Sequence, residues 1–172
     1  MCVMRNVAWK WLRACCIGVL IMAMAFLPAL ASTATQVDFE AAKSDAAAFL
    51  DGHAEELASV ADAIWSYAEL GFQEIKSSDA LKRLLEKYGF KVEMGVAGMP
   101  TAMVATWGSG GPAIGFTGEY DALPGLSQKA VPYKEPIVEG APGHGCGHNL
   151  LGTTGAGSAI ALKHAMEKHG IS

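Results

Sequence analysis

A surplus of positive charge is missing from this sequence. Thirteen Lys and Arg face seventeen Asp and Glu, giving a net charge of -4, without the basic face that a nucleic-acid binder needs. Charged residues make up only 17% of the chain against 51% hydrophobic ones, so a disordered chain is excluded as well. Cysteine is scarce in the body: Cys2, Cys15 and Cys16 lie at the start, and only Cys146 lies beyond them, so no disulfide scaffold can be drawn. There is no Gly-x-Ser-x-Gly elbow for a serine hydrolase and no P-loop lysine, and there are no internal repeats. The 172 residues fit one domain or a piece of a larger one.

The amino-terminal segment reads as an export signal. Arg5, Lys10 and Arg13 precede an apolar run from Ala14 to Leu27, and Pro28-Ala29-Leu30-Ala31 supplies a small-residue cleavage end. The run is shorter than the roughly 20 residues that span a bilayer, which favours cleavage after Ala31 over an uncleaved anchor. The expectation is a signal peptide over residues 1–31, export to the periplasm or medium, and no stable membrane span afterwards. Residues 32–172 would then carry ten basic against seventeen acidic groups, and Cys146 as a lone thiol that is buried, reactive or held by a metal.

Periodicity divides the remainder. An Ala-rich helix is expected over Asp38–Leu50, and a second along Leu57, Val60, Ala61, Ile64, Trp65 and Ala68, stopped by Gly71. A third should be capped by Ser77 or Ser78, bury Leu81, Leu84, Leu85 and Tyr88, and end at Gly89. The period then falls to two: Phe90, Val92, Met94 and Val96 alternate with Lys91 and Glu93 as in a half-buried strand. Thr101–Trp107 and Ala113–Thr117 read as further strands. Glu119 to Gly145 is a long Pro-rich loop, a type of segment that is usually functional. Asn149 would cap a last helix to about Lys168, whose small residues Gly152, Gly155 and Gly157 imply close packing against a sheet or a site. The fold class expected is α/β, a layered sheet flanked by helices.

Two clusters could carry chemistry. In Gly143-His144-Gly145-Cys146-Gly147-His148-Asn149, Cys146 and His148 are two apart, and in an extended segment such residues face the same way. Thiolate and imidazole both bind zinc-like ions, although a stable site needs three or four ligands. The same residues also fit a buried cysteine beside a solvated histidine in a Gly-rich turn. In Gly118-Glu119-Tyr120-Asp121-Ala122-Leu123-Pro124, Glu119 and Asp121 share the same i, i+2 relation just beyond an expected strand. They can ligate a metal, orient a histidine, or simply be solvated. His164 and His169 miss the helical i, i+4 metal spacing and are expected to be exposed; His53 is expected at a helix start.

Taken together, Ala68-Glu69-Leu70-Gly71-Phe72-Gln73-Glu74, Gly118–Leu126 and Gly143–Asn149 resemble, in order and separation, the amidohydrolase branch of the aminoacylase and carboxypeptidase-G-type metallopeptidases. Within it the motif forms look closest to the p-aminobenzoyl-glutamate hydrolases and the aminoacylase-like dipeptidases. The resemblance covers nearly all of residues 38–172. It implies Cys146 and His148 as metal ligands and Asp121 as the catalytic aspartate that orients the site. Glu119 stands where carboxypeptidase-like relatives place a histidine ligand, and His144 matches a histidine behind the ligands.

It also implies two divalent ions, zinc or manganese, and hydrolysis of an N-acyl amino acid, p-aminobenzoyl-glutamate or a dipeptide-like amide by water that the metal activates. The full-length form would be a possible homodimer. Family members are more than twice as long, with an inserted lid domain and a Glu-Glu pair that this sequence lacks after His148. Residues 32–172 are therefore expected to be the N-terminal portion of a catalytic domain, inactive alone. The alternative is a truncated, non-catalytic paralogue that binds a metal or ligand without turnover.

Overall fold

The computed structural model describes residues 37–171, so the expected signal peptide lies outside the described residues. The first three helices are α1 (Phe39–Gly52), α2 (Ala54–Tyr67) and α3 (Ile75–Lys87). Strands β1 (Lys91–Met94) and β2 (Met103–Thr106) follow, and α4 (His148–His169) closes the order. Among the described residues the helices are joined by one two-stranded antiparallel sheet, with Lys91 opposite Thr106 and Met94 opposite Met103. The described residues are thus mixed helix and strand, compatible with an α/β class, and the sheet among them has two strands and no layer beyond it. None of the described helices is long and apolar enough to cross a membrane.

The helices follow their apolar stripes. Ile64 of α2, Leu81, Leu84 and Leu85 of α3, and Ala156 and Ile160 of α4 form one buried cluster, with Val92, Met103 and Ala105 of the sheet packed on it. Fully burying a side chain of the size of Leu or Ile stabilises by about 1.5–3 kcal/mol. Asp38 starts α1: its Oδ1 accepts from the Glu40 and Ala41 amides at 3.1 and 3.0 Å.

Several boundaries differ from expectation. Gly71 does not stop α2; Ala68 does, in the left-handed conformation at φ 46°, with its amide on the Ile64 carbonyl. That bend turns the chain so that Leu70 pairs with Ala122 in a parallel bridge. Ser77 and Ser78 do not cap α3; both are buried inside it. The free amides are met from outside instead, where the Glu69 carboxylate accepts from Lys76 N at 3.0 Å, Ser77 N at 2.9 Å and Ser77 Oγ at 2.8 Å. Asn149 does not cap α4 either. The helix opens two residues earlier, after Gly147 at φ 76°, and the Asn149 side-chain amide donates to the Ala61 carbonyl, which ties α4 to α2.

The expected strand Ala113–Thr117 is not formed among the described residues. It makes no ladder bonds among the described residues, and Ile114 is 68% exposed. A strand exists only when a neighbour takes its amides and carbonyls, and an apolar run in a sequence does not report whether one is at hand. His164 and His169 are not exposed as expected. His164 packs on the Phe49 ring, and His169 Nε2 meets Asp45 Oδ2 at 2.8 Å. His53 does stand at the start of α2.

Candidate functional site

The long loop is held on three sides. The Ala122 amide donates to the Glu69 carbonyl at 2.7 Å, and Leu123 and Gly143 exchange a pair of backbone bonds, each 3.0 Å. The third contact explains the glycines of α4. A Cβ at Gly152 would lie 3.0 Å from the Glu119 carbonyl and from Tyr120 Cβ, and one at Gly118 would lie 2.7 Å from the Leu151 carbonyl. Such approaches admit only glycine without a backbone shift. The helix therefore lies directly against the backbone that carries both acidic residues.

This docking brings residues 27 positions apart into contact. His148 Nδ1 stands 2.7 Å from Asp121 Oδ1, and His148 Nε2 stands 3.2 Å from Glu119 Oε2. The imidazole is 12% exposed, the Asp121 side chain 29% and the Glu119 side chain 69%, so the arrangement runs from interior to solvent. Both ring nitrogens face carboxylate oxygens. With its single N–H donated to Asp121, a neutral imidazole turns a lone pair towards Glu119, and that pairing is favourable only with a cation or a second proton between them.

His144 lies behind this cluster. Its Nε2 donates to the Ile64 carbonyl at 3.1 Å, while its Nδ1 is buried with no protein partner. Burial pushes the imidazole below its ordinary value, against the opposing pull of the Ile64 carbonyl bond. His144 is thus a neutral ring with an unmet acceptor, a polar atom that needs an explanation.

Cys146 is placed differently from the sequence expectation. The Gly147 amide bonds to the His144 carbonyl at 3.2 Å, which bends residues 144–147 into a turn, and His148 then begins a helix. Cys146 is exposed at that turn. The alternation that would aim its sulfur along the His148 ring belongs to extended chain, which the left-handed Gly147 interrupts. Among the described residues no three His, Cys, Asp or Glu side chains gather round one point. The donor chemistry at Glu119 and His148 suits a divalent ion, and their 3.2 Å separation is close to the spacing of about 3.3 Å between two ligands sharing one ion at roughly 2.0–2.1 Å. The set is two donors short of a complete coordination shell.

Two glutamates and a threonine of this region had no role assigned from the sequence. Glu69 serves α3 as described. Glu74 is buried, and its Oε2 accepts from Thr101 Oγ1 at 2.6 Å. The Tyr120 hydroxyl donates to the Thr101 carbonyl at 2.5 Å, and its pKa is pushed up to about 12, by burial first and then by the Glu74 charge. The clue available in sequence is that both glutamates sit in the Ala68–Glu74 motif, next to the first turn of a helix, where carboxylates are favoured.

Comparison with known proteins gives a consistent set of relatives. The chain is 46% identical over 112 residues to a subunit of p-aminobenzoyl-glutamate hydrolase of Escherichia coli, covering 64% of this chain and 23% of that protein. It is 33% identical over 150 residues to the Xaa-Arg dipeptidase of Mus musculus, covering 81% of this chain and 31% of the relative. The Homo sapiens Xaa-Arg dipeptidase matches at 32% over 143 residues, 76% of this chain and 29% of that one. The chain therefore spans less than a third of the length of these relatives. No family model matches it.

Proposed function

The chain belongs to the amidohydrolase and peptidase family of these relatives, and from that premise we propose that it forms part of the active site of an exported, metal-dependent hydrolase. The bond cleaved is the amide of an N-acyl amino acid, of p-aminobenzoyl-glutamate, or of a dipeptide-like substrate. The observation that carries this reading is the Glu119–His148–Asp121 cluster, with both imidazole nitrogens on carboxylates. The residues holding a divalent zinc or manganese ion would be His148 through Nε2, Glu119, and Cys146 after a rotation of its exposed turn. When bound, such an ion supplies Lewis-acid polarisation of the amide carbonyl and makes water a nucleophile at neutral pH.

The chain's own residues do the rest. Asp121 accepts the Nδ1 proton, which fixes the tautomer and aims Nε2 outward. His144 contributes a neutral, desolvated ring behind the site that adds no positive charge to repel a cation. Glu119, more open to solvent, lies where an incoming substrate first meets the cluster. One relative is named as a subunit, so assembly with a second chain, or with a copy of itself, is part of the proposal.

The test is hydrolysis by the full-length protein of p-aminobenzoyl-glutamate, a set of N-acyl amino acids and Xaa-Arg dipeptides, with and without chelator. Turnover should vanish with chelator and return with zinc or manganese, and Asp121→Asn should weaken metal affinity about 10–100-fold. Amide hydrolysis indifferent to chelator, or no hydrolysis of any of the three substrate classes, would refute it.

A further inference from the structure

Glu119 and Asp121 reach His148 from opposite ends of a three-residue stretch, and the residue between them points elsewhere. Tyr120 sends its hydroxyl to the Thr101 carbonyl at 2.5 Å, and Thr101 in turn donates its own hydroxyl to Glu74 Oε2 at 2.6 Å. Glu74 and Thr101 are both buried, and Tyr120 is partly buried. A carboxylate in such surroundings is retained only with strong partners, since an unmatched one is driven to neutralise.

Gly71 completes the geometry. A Cβ there would lie 3.9 Å from Asp121 Oδ2 and 4.0 Å from Glu74 Oε1, so the two carboxylates flank the same bare backbone. With the Tyr120 hydroxyl bound to Thr101, the residues on either side of it, Glu119 and Asp121, both meet His148 instead.

We propose that Glu74 is a positioning residue: through Thr101 and Tyr120 it fixes the Glu119–Asp121 stretch and thereby the orientation of the His148 ring. This rests on the proposed hydrolase site, but its geometry can be tested without turnover. The chain of two hydrogen bonds leaves Glu74 with no contact to His148, so its influence travels through the Tyr120 hydroxyl. Removing that one oxygen should therefore loosen the bond between His148 and Asp121.

The experiment is nuclear magnetic resonance of the His148 ring in the full chain without added metal, comparing wild type with Tyr120→Phe, Glu74→Ala and Glu74→Gln. The His148 Nδ1 proton should be seen in the wild type and in Glu74→Gln, whose amide oxygen still accepts from Thr101. It should broaden or disappear in Tyr120→Phe and Glu74→Ala. In the full-length protein the same two variants should lower kcat by about tenfold with KM within twofold, the scale of an outer-shell partner.

If Glu74→Ala fails to fold, Tyr120→Phe decides alone. A lower melting temperature with an unchanged His148 signal would reduce Glu74 to a purely structural role and overturn the proposal. Should Asp121→Asn abolish hydrolysis while Tyr120→Phe leaves the ring signal and kcat untouched, the positioning claim falls and the hydrolase reading stands. Should hydrolysis be absent altogether, the ring signal still settles the positioning claim.

Discussion

Two isoleucines of this molecule lie in runs that read as regular secondary structure and end in opposite environments. Ile64 in α2 is 0% exposed, against Leu81, Leu84 and Ile160, whereas Ile114 in the unpaired Ala113–Thr117 stretch is 68% exposed. A helix brings its own backbone bonds and needs only a face to bury, which α3 and α4 provide. An extended segment needs a neighbour for its backbone first, and none pairs with it among the described residues. The Glu119–Asp121 stretch lies just past that unpaired segment. It is held by specific contacts, a bridge to Leu70, a helix without side chains in the way, and the Tyr120 hydroxyl.

Breaking the buried side of the comparison should have the largest effect. Ile64→Ala is expected to cost about 2–5 kcal/mol, read as a fall in the urea midpoint, while Ile114→Ala should stay within about 0.5 kcal/mol. Equal effects would mean that Ala113–Thr117 is packed in solution. Gly118→Ala comes next, because its Cβ would meet the Leu151 carbonyl at 2.7 Å. A loss of about 1–3 kcal/mol is expected, with the cluster at His148 displaced as α4 backs away. Full stability and an unchanged His148 environment would show that the helix does not set the site.

A smaller effect sharpens the role of the first motif. Glu69→Ala should cost about 1–2 kcal/mol through the lost cap on α3. Glu69→Gln should recover part of that, since an amide oxygen still accepts from the Ser77 amide. The smallest effect is pH-dependent. His144 is held below its ordinary pKa by burial, so below that ordinary value the unfolded chain binds more protons than the folded one. Stability attributable to His144 is complete at higher pH, declines as pH falls through the ordinary histidine range, and levels off below the lowered value. His144→Gln should flatten that part of the curve in urea titrations between about pH 5 and 8.

How much could be seen in the sequence varies with how local the cause is. The four helices and the strands β1 and β2, though not their pairing with each other, follow from periodicity, and the small residues in α4 imply a close approach that the structure places at Thr117–Tyr120. Asp121 and His148 were singled out by their motifs, and the structure brings them together. Missed features depend on distant partners. The α3 cap comes from Glu69, eight residues before Ser77, while two serines at the expected place are buried instead. Cys146 was aimed by an extended geometry that one left-handed glycine removes. The buried link from Glu74 to Tyr120 joins segments that no window of sequence spans.

A metal shared by His148 and Glu119 and a metal-free contact between them have different consequences. Calorimetric titration of the metal-free full-length protein with zinc and with manganese, alongside His148→Ala and Cys146→Ser, tells them apart. Binding that His148→Ala abolishes and Cys146→Ser weakens is the predicted result. If wild type and His148→Ala bind the same amount of metal with the same affinity, His148 holds no metal and only links two carboxylates, and the metal-site reading is wrong.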